Sequence, residues 1–217
     1  MSENSSQQGR GERWLNMSHP SEYAHCMIDV QKAYCDPRGY RGTPQTDEVA
    51  ARIASIAPLF RQASVPTYII INKKLDAPGG ALHYLQASVG DAIQLKYANS
   101  VFIGTNFEHH LRDQGVRKLI ISGFNLNACV YDTVIDGLTV IDGLYEEFDV
   151  QVLSDCVGND RFNRSAPEDY FEDMVLNGAE LKTHKESLAE ILARAAQNVS
   201  APARTQIAHY LSAPDPS

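Results

Sequence analysis

Apolar runs alternate with helical patterns along most of the chain. Short runs that are rich in β-branched and apolar residues predict strands at 25–30, 67–72, 117–124 and 149–155. Apolar residues three and four positions apart predict helices at 47–64, 107–115, 130–148 and 183–197. Because largely apolar strands alternate with amphipathic helices, the pattern predicts an α/β fold. We expect a Rossmann-like three-layer sandwich, with a mostly parallel central sheet and helices on both faces.

Several residues mark where these helices begin and end. Thr46 is the predicted N-cap of the helix over 47–64, and Pro58 is expected to kink that helix. Gly115 is expected to close the helix over 107–115 at the C′ position. Thr183 and Glu186 have the spacing of a capping box at the start of the last helix.

The two ends of the chain differ from its middle in composition. Residues 1–20 are polar with little apolar periodicity, which predicts a disordered N-terminal segment. Residues 199–217 are rich in proline and serine around one short apolar patch, and they predict a C-terminal tail that docks on a partner subunit. Residues 21–198 between them are expected to form a single domain.

Composition narrows the classes of protein that fit. The chain has 217 residues and a net charge of -8, which argues against partners such as nucleic acids and anionic membranes. It contains neither the apolar core of a signal peptide nor a run long enough to cross a bilayer. The 4 cysteines form no Cys-x-x-Cys pair. We therefore expect a cytoplasmic protein with free thiols.

Three reactive residue types follow predicted strands or interrupt apolar stretches. Asp29 follows the first strand, Lys96 lies in the mostly apolar stretch IQLKYANSVF, and Cys129 lies between a strand and a helix expected to begin at Val130. Each has an ordinary structural alternative: an aspartate that caps a helix or forms a structural salt bridge, a solvated lysine or a core cysteine. Together they supply a base, a cation and a nucleophile. A helix N-terminus and a nearby lysine are expected to favour the Cys129 thiolate.

The stretches IDVQKAY, KYANSVF and ISGFNLNACVYDT resemble the isochorismatase-like cysteine hydrolases, which include nicotinamidase and N-carbamoylsarcosine amidase. The resemblance covers roughly residues 22–195. Its parts are Asp-x-Gln after the first strand, the lysine before Ser-x-Phe, and Gly-x5-Cys-Val-x-x-Thr. These parts are carried by Asp29, Gln31, Lys96, Ser100, Phe102, Gly123, Cys129, Val130 and Thr133.

The resemblance implies a catalytic triad of Asp29, Lys96 and Cys129. It also implies a cis peptide bond between Phe124 and Asn125, which would turn the N–H of Asn125 toward that of Cys129. Two such converging donors make an oxyanion hole.

The chain departs from the family pattern at two places. Nicotinamidases resemble one another in an Asp-x-His…His metal cluster after the second strand, where this chain has one histidine, His83. His109 and His110 are adjacent on a predicted helix and diverge, so they make a poor ligand pair. We therefore expect neither metal nor other cofactor. Leu126 stands where many members have threonine, three residues before the cysteine.

The resemblance implies a metal-independent cysteine amidohydrolase that acts on a small amide, carbamoyl or ureido substrate through a thioester. The candidate substrate contacts have core packing, a solvated loop or a helix cap as alternatives, and they are Gln31, Tyr34, Phe102, Asn127 and Tyr131. Two other functions stay open: vinyl-ether hydrolysis as in isochorismatases, which use the aspartate without the cysteine, and a non-catalytic binding or scaffold protein on the same fold. Since the family is commonly oligomeric, a homo-oligomer (dimer or tetramer) is expected.

Overall fold

The computed structural model describes residues 21–75, 80–85, 91–139, 147–163, 165–195 and 198–214. Its centre is a six-stranded sheet in which every pair of neighbouring strands is parallel. The strands are β1 (Tyr23–Ile28), β2 (Thr67–Asn72), β3 (Asp91–Lys96), β4 (Lys118–Phe124), β5 (Asp149–Gly158) and β6 (Glu180–Lys182). They lie in the order β3-β2-β1-β4-β5-β6. The predicted α/β class is confirmed.

The described part of the chain also contains seven α-helices and one π-helix, of which the last two α-helices follow β6. They are α1 (Lys32–Cys35), α2 (Pro44–Gln62), α3 (Phe107–Asp113), the π-helix (Leu126–Val130), α4 (Tyr131–Gly137), α5 (Pro167–Leu176), α6 (His184–Ala195) and α7 (Ala201–Ser212). None of the described helices is both long and apolar enough to cross a membrane.

Two hydrophobic cores lie on the two faces of the sheet. One holds side chains of α2, α6 and α7, such as Phe60, Leu188 and Ile207. The other holds side chains of α3 and α4, such as Leu111 and Val134. The central strands β1 and β4 are buried along their whole length, because helices cover both of their faces. This explains why these strands read as continuous apolar runs.

One predicted helix end, the N-cap of α2, lies at a different residue in the structure. The prediction of Thr46 as an N-cap is wrong, because α2 begins earlier, at Pro44, and its N-cap is Thr43. Thr43 Oγ1 accepts a hydrogen bond from Thr46 N (3.1 Å), and Thr46 Oγ1 accepts one from Thr43 N (2.8 Å). Proline suits the first turn of a helix because its missing N–H would have no partner there. Pro58 lies inside α2 without ending it.

The other two predicted helix ends are confirmed. Gly115 follows α3 with a φ of 78°, as a residue at C′ requires. The capping box at α6 pairs Thr183 N with Glu186 Oε2 (2.7 Å) and Glu186 N with Thr183 Oγ1 (3.3 Å).

The structure differs from the predicted elements in the second half of the chain. The helix expected over 130–148 is α4, which ends at Gly137, and residues 140–146 lie outside the described part. Strand β5 continues beyond the predicted 149–155 to Gly158. Between Val152 and Val157 its register with β4 shifts, so β5 contains extra residues as a bulge.

Residues 201–212 form helix α7, which corrects the interpretation of 199–217 as a tail. Ala203 and Ile207 are buried in the same core as α2 and α6, so this segment packs on its own domain. The apolar patch seen in the sequence is therefore one face of a core helix. The predicted disordered segment 1–20 lies outside the described residues.

Candidate active site

Asp29 lies directly after β1, at the carboxyl end of the sheet. Its backbone has a φ of 52°, a left-handed conformation that aspartate adopts more readily than most residues. The Asp29 amide still donates to Ile70 O at 3.0 Å, so the turn begins while β1 is paired with β2. The side chain is completely buried. A buried carboxylate is costly unless it is paired, and its partner is a lysine.

Lys96 is the last residue of β3, and it is also completely buried. Its Nζ lies 2.9 Å from Asp29 Oδ2 and donates to Ala98 O at 3.2 Å. The strands that carry the two residues are separated only by β2, and all end at the same edge. The alternative of a solvated surface lysine is therefore excluded.

Cys129 is the fourth residue of the π-helix, which runs directly into α4. The helix therefore starts earlier than the sequence predicted, at Leu126 rather than Val130. Val130 N donates to Asn125 O, five residues earlier, at 3.0 Å, and this bond closes the wide turn of the π-helix. π-Helical turns inside longer helices occur frequently at functional sites. The Cys129 side chain is almost fully buried, and its Sγ lies 3.9 Å from Asn99 Oδ1.

Gly123 brings the end of β4 close to β1. Its φ is 125°, and a Cβ atom on it would lie 2.0 Å from Ile28 O. Only glycine fits this approach, since any side chain would clash with the neighbouring backbone. The glycine of the Gly-x5-Cys motif therefore lets Cys129 follow close beside the strand that ends at Asp29.

Burial controls the protonation of both acids in the site. It raises the pKa of Asp29 above its usual 3.8, although Lys96 opposes the shift. It raises the pKa of Cys129 to about 12, an effect that the charge of Asp29 increases and that of Lys96 reduces. The expectation of a favoured thiolate is therefore wrong for this state, because loss of water outweighs the lysine. The resting group is a thiol beside a base.

Asn125 connects β4 to the π-helix, and the peptide bond between Phe124 and Asn125 is cis. The residue is almost completely buried. The expected oxyanion hole at the amides of Asn125 and Cys129 stays a prediction.

Of the five residues predicted to contact the substrate, three bond to or pack against other parts of the protein. Gln31 is completely buried and bonds to backbone, with Oε1 accepting from Asn72 N (2.9 Å) and Nε2 donating to Gly80 O (2.9 Å). Phe102 packs against Phe148 in the second core. The Tyr131 hydroxyl donates to Asp173 on α5. These contacts favour the structural alternative for all three residues.

Tyr34 and Asn127 remain candidates for contact with a substrate. Tyr34 is buried, and burial raises the pKa of its hydroxyl, a shift to which the charges of Asp29 and Cys129 add. Asn127 lies two residues before Cys129, and its Oδ1 is buried without a hydrogen-bond partner among the described residues. Their predicted role in substrate binding is not tested by these contacts.

Sequence reasoning missed Asn99, which contacts the nucleophile. Besides its contact with Cys129 Sγ, its Nδ2 donates to Asp132 Oδ2 at 2.9 Å. The available signal was its position between Lys96 and Ser100 within one motif. Two motif residues have structural roles: Thr133 Oγ1 accepts from Val101 N and Ser100 Oγ from Phe102 N, both at 3.2 Å. They fix the loop after β3 against α4.

Among the described residues that follow β2, the donor set does not suit a metal ion. Lys73 and Lys74 follow the strand, and His83 Nε2 is already bonded to Asp47 Oδ1 at 2.6 Å.

One group of possible ligands occurs elsewhere in the described part of the chain: Asp155, Cys156 and His184. His184 in that group bonds to Asp155 through Nδ1 (2.5 Å) and to Tyr210 through Nε2 (2.8 Å). Cys156 belongs to the core on the opposite face from Cys129. No step at Cys129 passes through this group.

Comparison with known proteins shows the family of the chain. A family model for the isochorismatase domain matches residues 23–186. An isochorismatase family protein of Bacillus subtilis is 27% identical over 177 residues, which cover 76% of this chain and 89% of that protein. A ureidoacrylate amidohydrolase of Pseudomonas savastanoi pv. phaseolicola is 26% identical over 160 residues, which cover 54% of this chain and 65% of that protein.

The solved structure of N-carbamoylsarcosine amidase from Thermoplasma acidophilum superposes with a TM-score of 0.63 at 22% identity, covering 76% of this chain and 97% of that one. The nicotinamidase of Staphylococcus aureus superposes with a TM-score of 0.61 at 18% identity, covering 76% of this chain and 99% of that one. At these identities the likeness supports the shared fold. Because the family model spans most of the sequence, including all three residues of the buried cluster, the chain belongs to the isochorismatase family of hydrolases.

Proposed function

We propose that this hydrolase is a metal-independent cysteine amidohydrolase that cleaves the C–N bond of a small amide, carbamoyl or ureido compound. The observation that carries the proposal is the buried Asp29–Lys96 ion pair beside Cys129 at the carboxyl end of the sheet. A buried pair of opposite charges is expensive to build and weak as a source of stability, so its position beside a thiol favours a catalytic role.

The first half of the reaction transfers an acyl group to sulfur. Asp29 accepts the proton of the Cys129 thiol as Sγ attacks the carbonyl carbon and forms a C–S bond. The backbone amides of Asn125 and Cys129 donate to the resulting oxyanion. Asp29 then gives the proton to the leaving nitrogen, the C–N bond breaks, and ammonia or an amine departs. The product on the protein is a thioester.

The second half hydrolyses the thioester. Asp29 accepts a proton from water, whose oxygen attacks the acyl carbon. The C–S bond then breaks, and the sulfur regains the proton from Asp29. Because burial raises the pKa of Asp29, this carboxyl is better suited to return a proton than an exposed aspartate would be. Before each half of the reaction, Lys96 holds Asp29 in the charged form that accepts the proton.

The relatives support the class of substrate. One is named a ureidoacrylate amidohydrolase and another an N-carbamoylsarcosine amidase, so both names describe cleavage of a C–N bond in a small molecule. Cys129 argues against the vinyl-ether alternative, in which the nucleophile has no function.

The test is an ammonia-release screen over small primary amides, carbamoyl and ureido compounds. The native protein is expected to release ammonia from at least one compound, with and without a strong chelator. Cys129→Ala is expected to lose nearly all turnover, on the order of 10⁶-fold, because the chemistry then lacks its nucleophile. Cys129→Ser is expected to be nearly inactive as well, since a carboxylate is a weak base toward a serine hydroxyl.

Thermal melting of each variant serves as the control for folding. Substantial turnover by a folded Cys129→Ala protein would contradict covalent catalysis and favour water activated by Asp29. Loss of activity on chelation, with recovery on adding zinc or iron, would contradict the metal-independent mechanism.

A further inference from the structure

Two residues that follow β5, Asn159 and Asp160, bond to the segment that carries Cys129. Asn125 Nδ2 donates to Asp160 Oδ2 at 3.2 Å, and Asp160 N donates to Asn125 Oδ1 at 2.8 Å. Asn127 N donates to Asn159 Oδ1 at 3.2 Å. These bonds hold the turn in place on both sides of Leu126. The Leu126 side chain has no polar group that could stabilise the turn itself.

Asp160 is a buried charge surrounded by donors. Its side chain is completely buried, and Oδ2 accepts from Arg41 Nε at 2.5 Å as well as from Asn125. Oδ1 accepts from Phe162 N (3.0 Å) and Asn163 Nδ2 (2.9 Å). Such a carboxylate needs a cation to offset its desolvation, and Arg41 supplies it.

Arg41 is itself held in place from several directions. Its guanidinium carbon lies 4.9 Å from the centre of the Tyr34 ring and 6.0 Å from that of Phe162. Arg161 N donates to Arg41 O at 3.0 Å, which ties the loop after α1 to the loop after β5. The network therefore runs from a partly exposed arginine, through a buried carboxylate, to the residue before the π-helix.

We propose that Asn159 and Asp160 are positioning residues for the oxyanion site, with Arg41 as the counter-ion of Asp160. The inference rests on the proposed function, in which the amides of Asn125 and Cys129 bind the oxyanion. Oxyanion donors are effective only when they are fixed before the reaction starts. Asn159 and Asp160 act through the backbone that they hold, not through contact with the substrate.

The principal test variant is Asp160→Asn. All four partners of the carboxylate donate hydrogen bonds, so the new amide nitrogen must face at least one donor and lose its bonds. A misplacement of about 1 Å costs roughly 100-fold in rate. We expect kcat to fall by about that factor, with KM changed less than about twofold. The matched control is Asp36→Asn, which removes a carboxylate paired with the exposed Arg38 (3.0 Å) on the adjoining loop.

A second pair of variants tests the counter-ion without changing the buried carboxylate. Arg41→Ala is expected to lower kcat, and added guanidinium ion is expected to restore part of it. Arg41→Lys should retain more activity than Arg41→Ala, because it keeps a cation near Asp160. A change confined to KM would show that Arg41 contacts the substrate, and it would overturn the assignment of Arg41 as a counter-ion.

Hydrogen exchange of the peptide covering 124–131 provides a readout that needs no turnover. Asp160→Asn is expected to speed exchange in this peptide, and Asp36→Asn is not. If exchange and kcat both stay at native values, the positioning role is wrong. If exchange rises while kcat does not, the bonds are merely structural and the proposal is again overturned. If the native protein releases no ammonia from any compound, the proposed hydrolysis is wrong. The hydrogen-exchange rates alone then decide whether Asn159 and Asp160 fix the turn.

Discussion

At the scale of single residues, the site depends on three groups that change one another's protonation. Asp29 and Lys96 form an ion pair that is buried from solvent, and Cys129 lies near both charges. The anion raises the pKa of the thiol and the cation lowers it. In the proposed mechanism, the aspartate therefore has opposite effects on the resting thiol and on the reaction: it keeps the proton on sulfur until a carbonyl carbon arrives, and then it accepts that proton.

This coupling predicts opposite effects of two substitutions on alkylation of Cys129. Asp29→Asn removes the anion, lowers the pKa of Cys129 from about 12 and should speed labelling by iodoacetamide at pH 8, although turnover is lost. Lys96→Met removes the cation, raises that pKa and should slow labelling. Peptide mass spectrometry over a range of pH measures both rates.

Cys26, Cys35 and Cys156 are completely buried and serve as internal controls that should stay unlabelled. Equal labelling rates in the native protein and Asp29→Asn would show that the aspartate does not govern the thiol.

The grouping of Asp29, Lys96 and Cys129 was predictable from sequence, whereas their energetics were not. Asp29 and Cys129 follow apolar runs, and family motifs surround all three residues. The direction of the Cys129 pKa shift depends on how much water the fold removes, which no local pattern records. Asp160 was missed for a related reason: its partners, Arg41 and Asn125, are distant in sequence and meet only because three loops converge.

At the scale of elements, β4 and the π-helix after it set the position of the nucleophile. Strand β2 was predicted with its observed ends because all of its residues except Asn72 are β-branched or apolar. Strand β3 was missed because polar Gln94 and Lys96 interrupt its apolar residues. The π-helix was missed because its extra residue per turn comes from tertiary contacts rather than composition.

Gly123 is the residue on which this arrangement depends most. Gly123→Ala should lower the free energy of unfolding by about 3 kcal/mol or more, since a positive φ and a backbone clash add together. The matched control is Gly104→Ala, which has a φ of 71° but nothing within 4 Å of the new Cβ. It should cost only about 1 kcal/mol. Urea denaturation of both variants measures the difference, and equal costs would contradict the role of close approach.

At the scale of the whole molecule, the C-terminal helix completes one of the two cores. α7 contacts α2 and α6, and its Ile207 is completely buried among their apolar side chains. The sequence suggested a tail because prolines and serines lie within and beside this helix and its large apolar residues are confined to one short patch. Two buried positions on one face suffice when a neighbouring surface is already apolar.

Ile207→Ala should therefore lower the free energy of unfolding by about 2 to 5 kcal/mol, because it leaves a cavity in the core. Thr205→Ala, on the exposed face of the same helix, should change it by less than about 0.5 kcal/mol. Denaturant midpoints of the two variants provide the measurement. A small effect of Ile207→Ala would show that α7 is dispensable for the fold.

The order of the strands has a consequence for the newly made chain. Asp29 and Lys96 belong to the half of the sheet built from β1, β2 and β3, whereas Cys129 follows the first strand of the other half. Within the sheet, the two halves meet along the pairing of β1 with β4. A chain still emerging from the ribosome contains Asp29 and Lys96 before Cys129 is made. In the proposed mechanism, catalytic competence therefore appears only after β1 has paired with β4, so activity reports that the two halves of the sheet have joined.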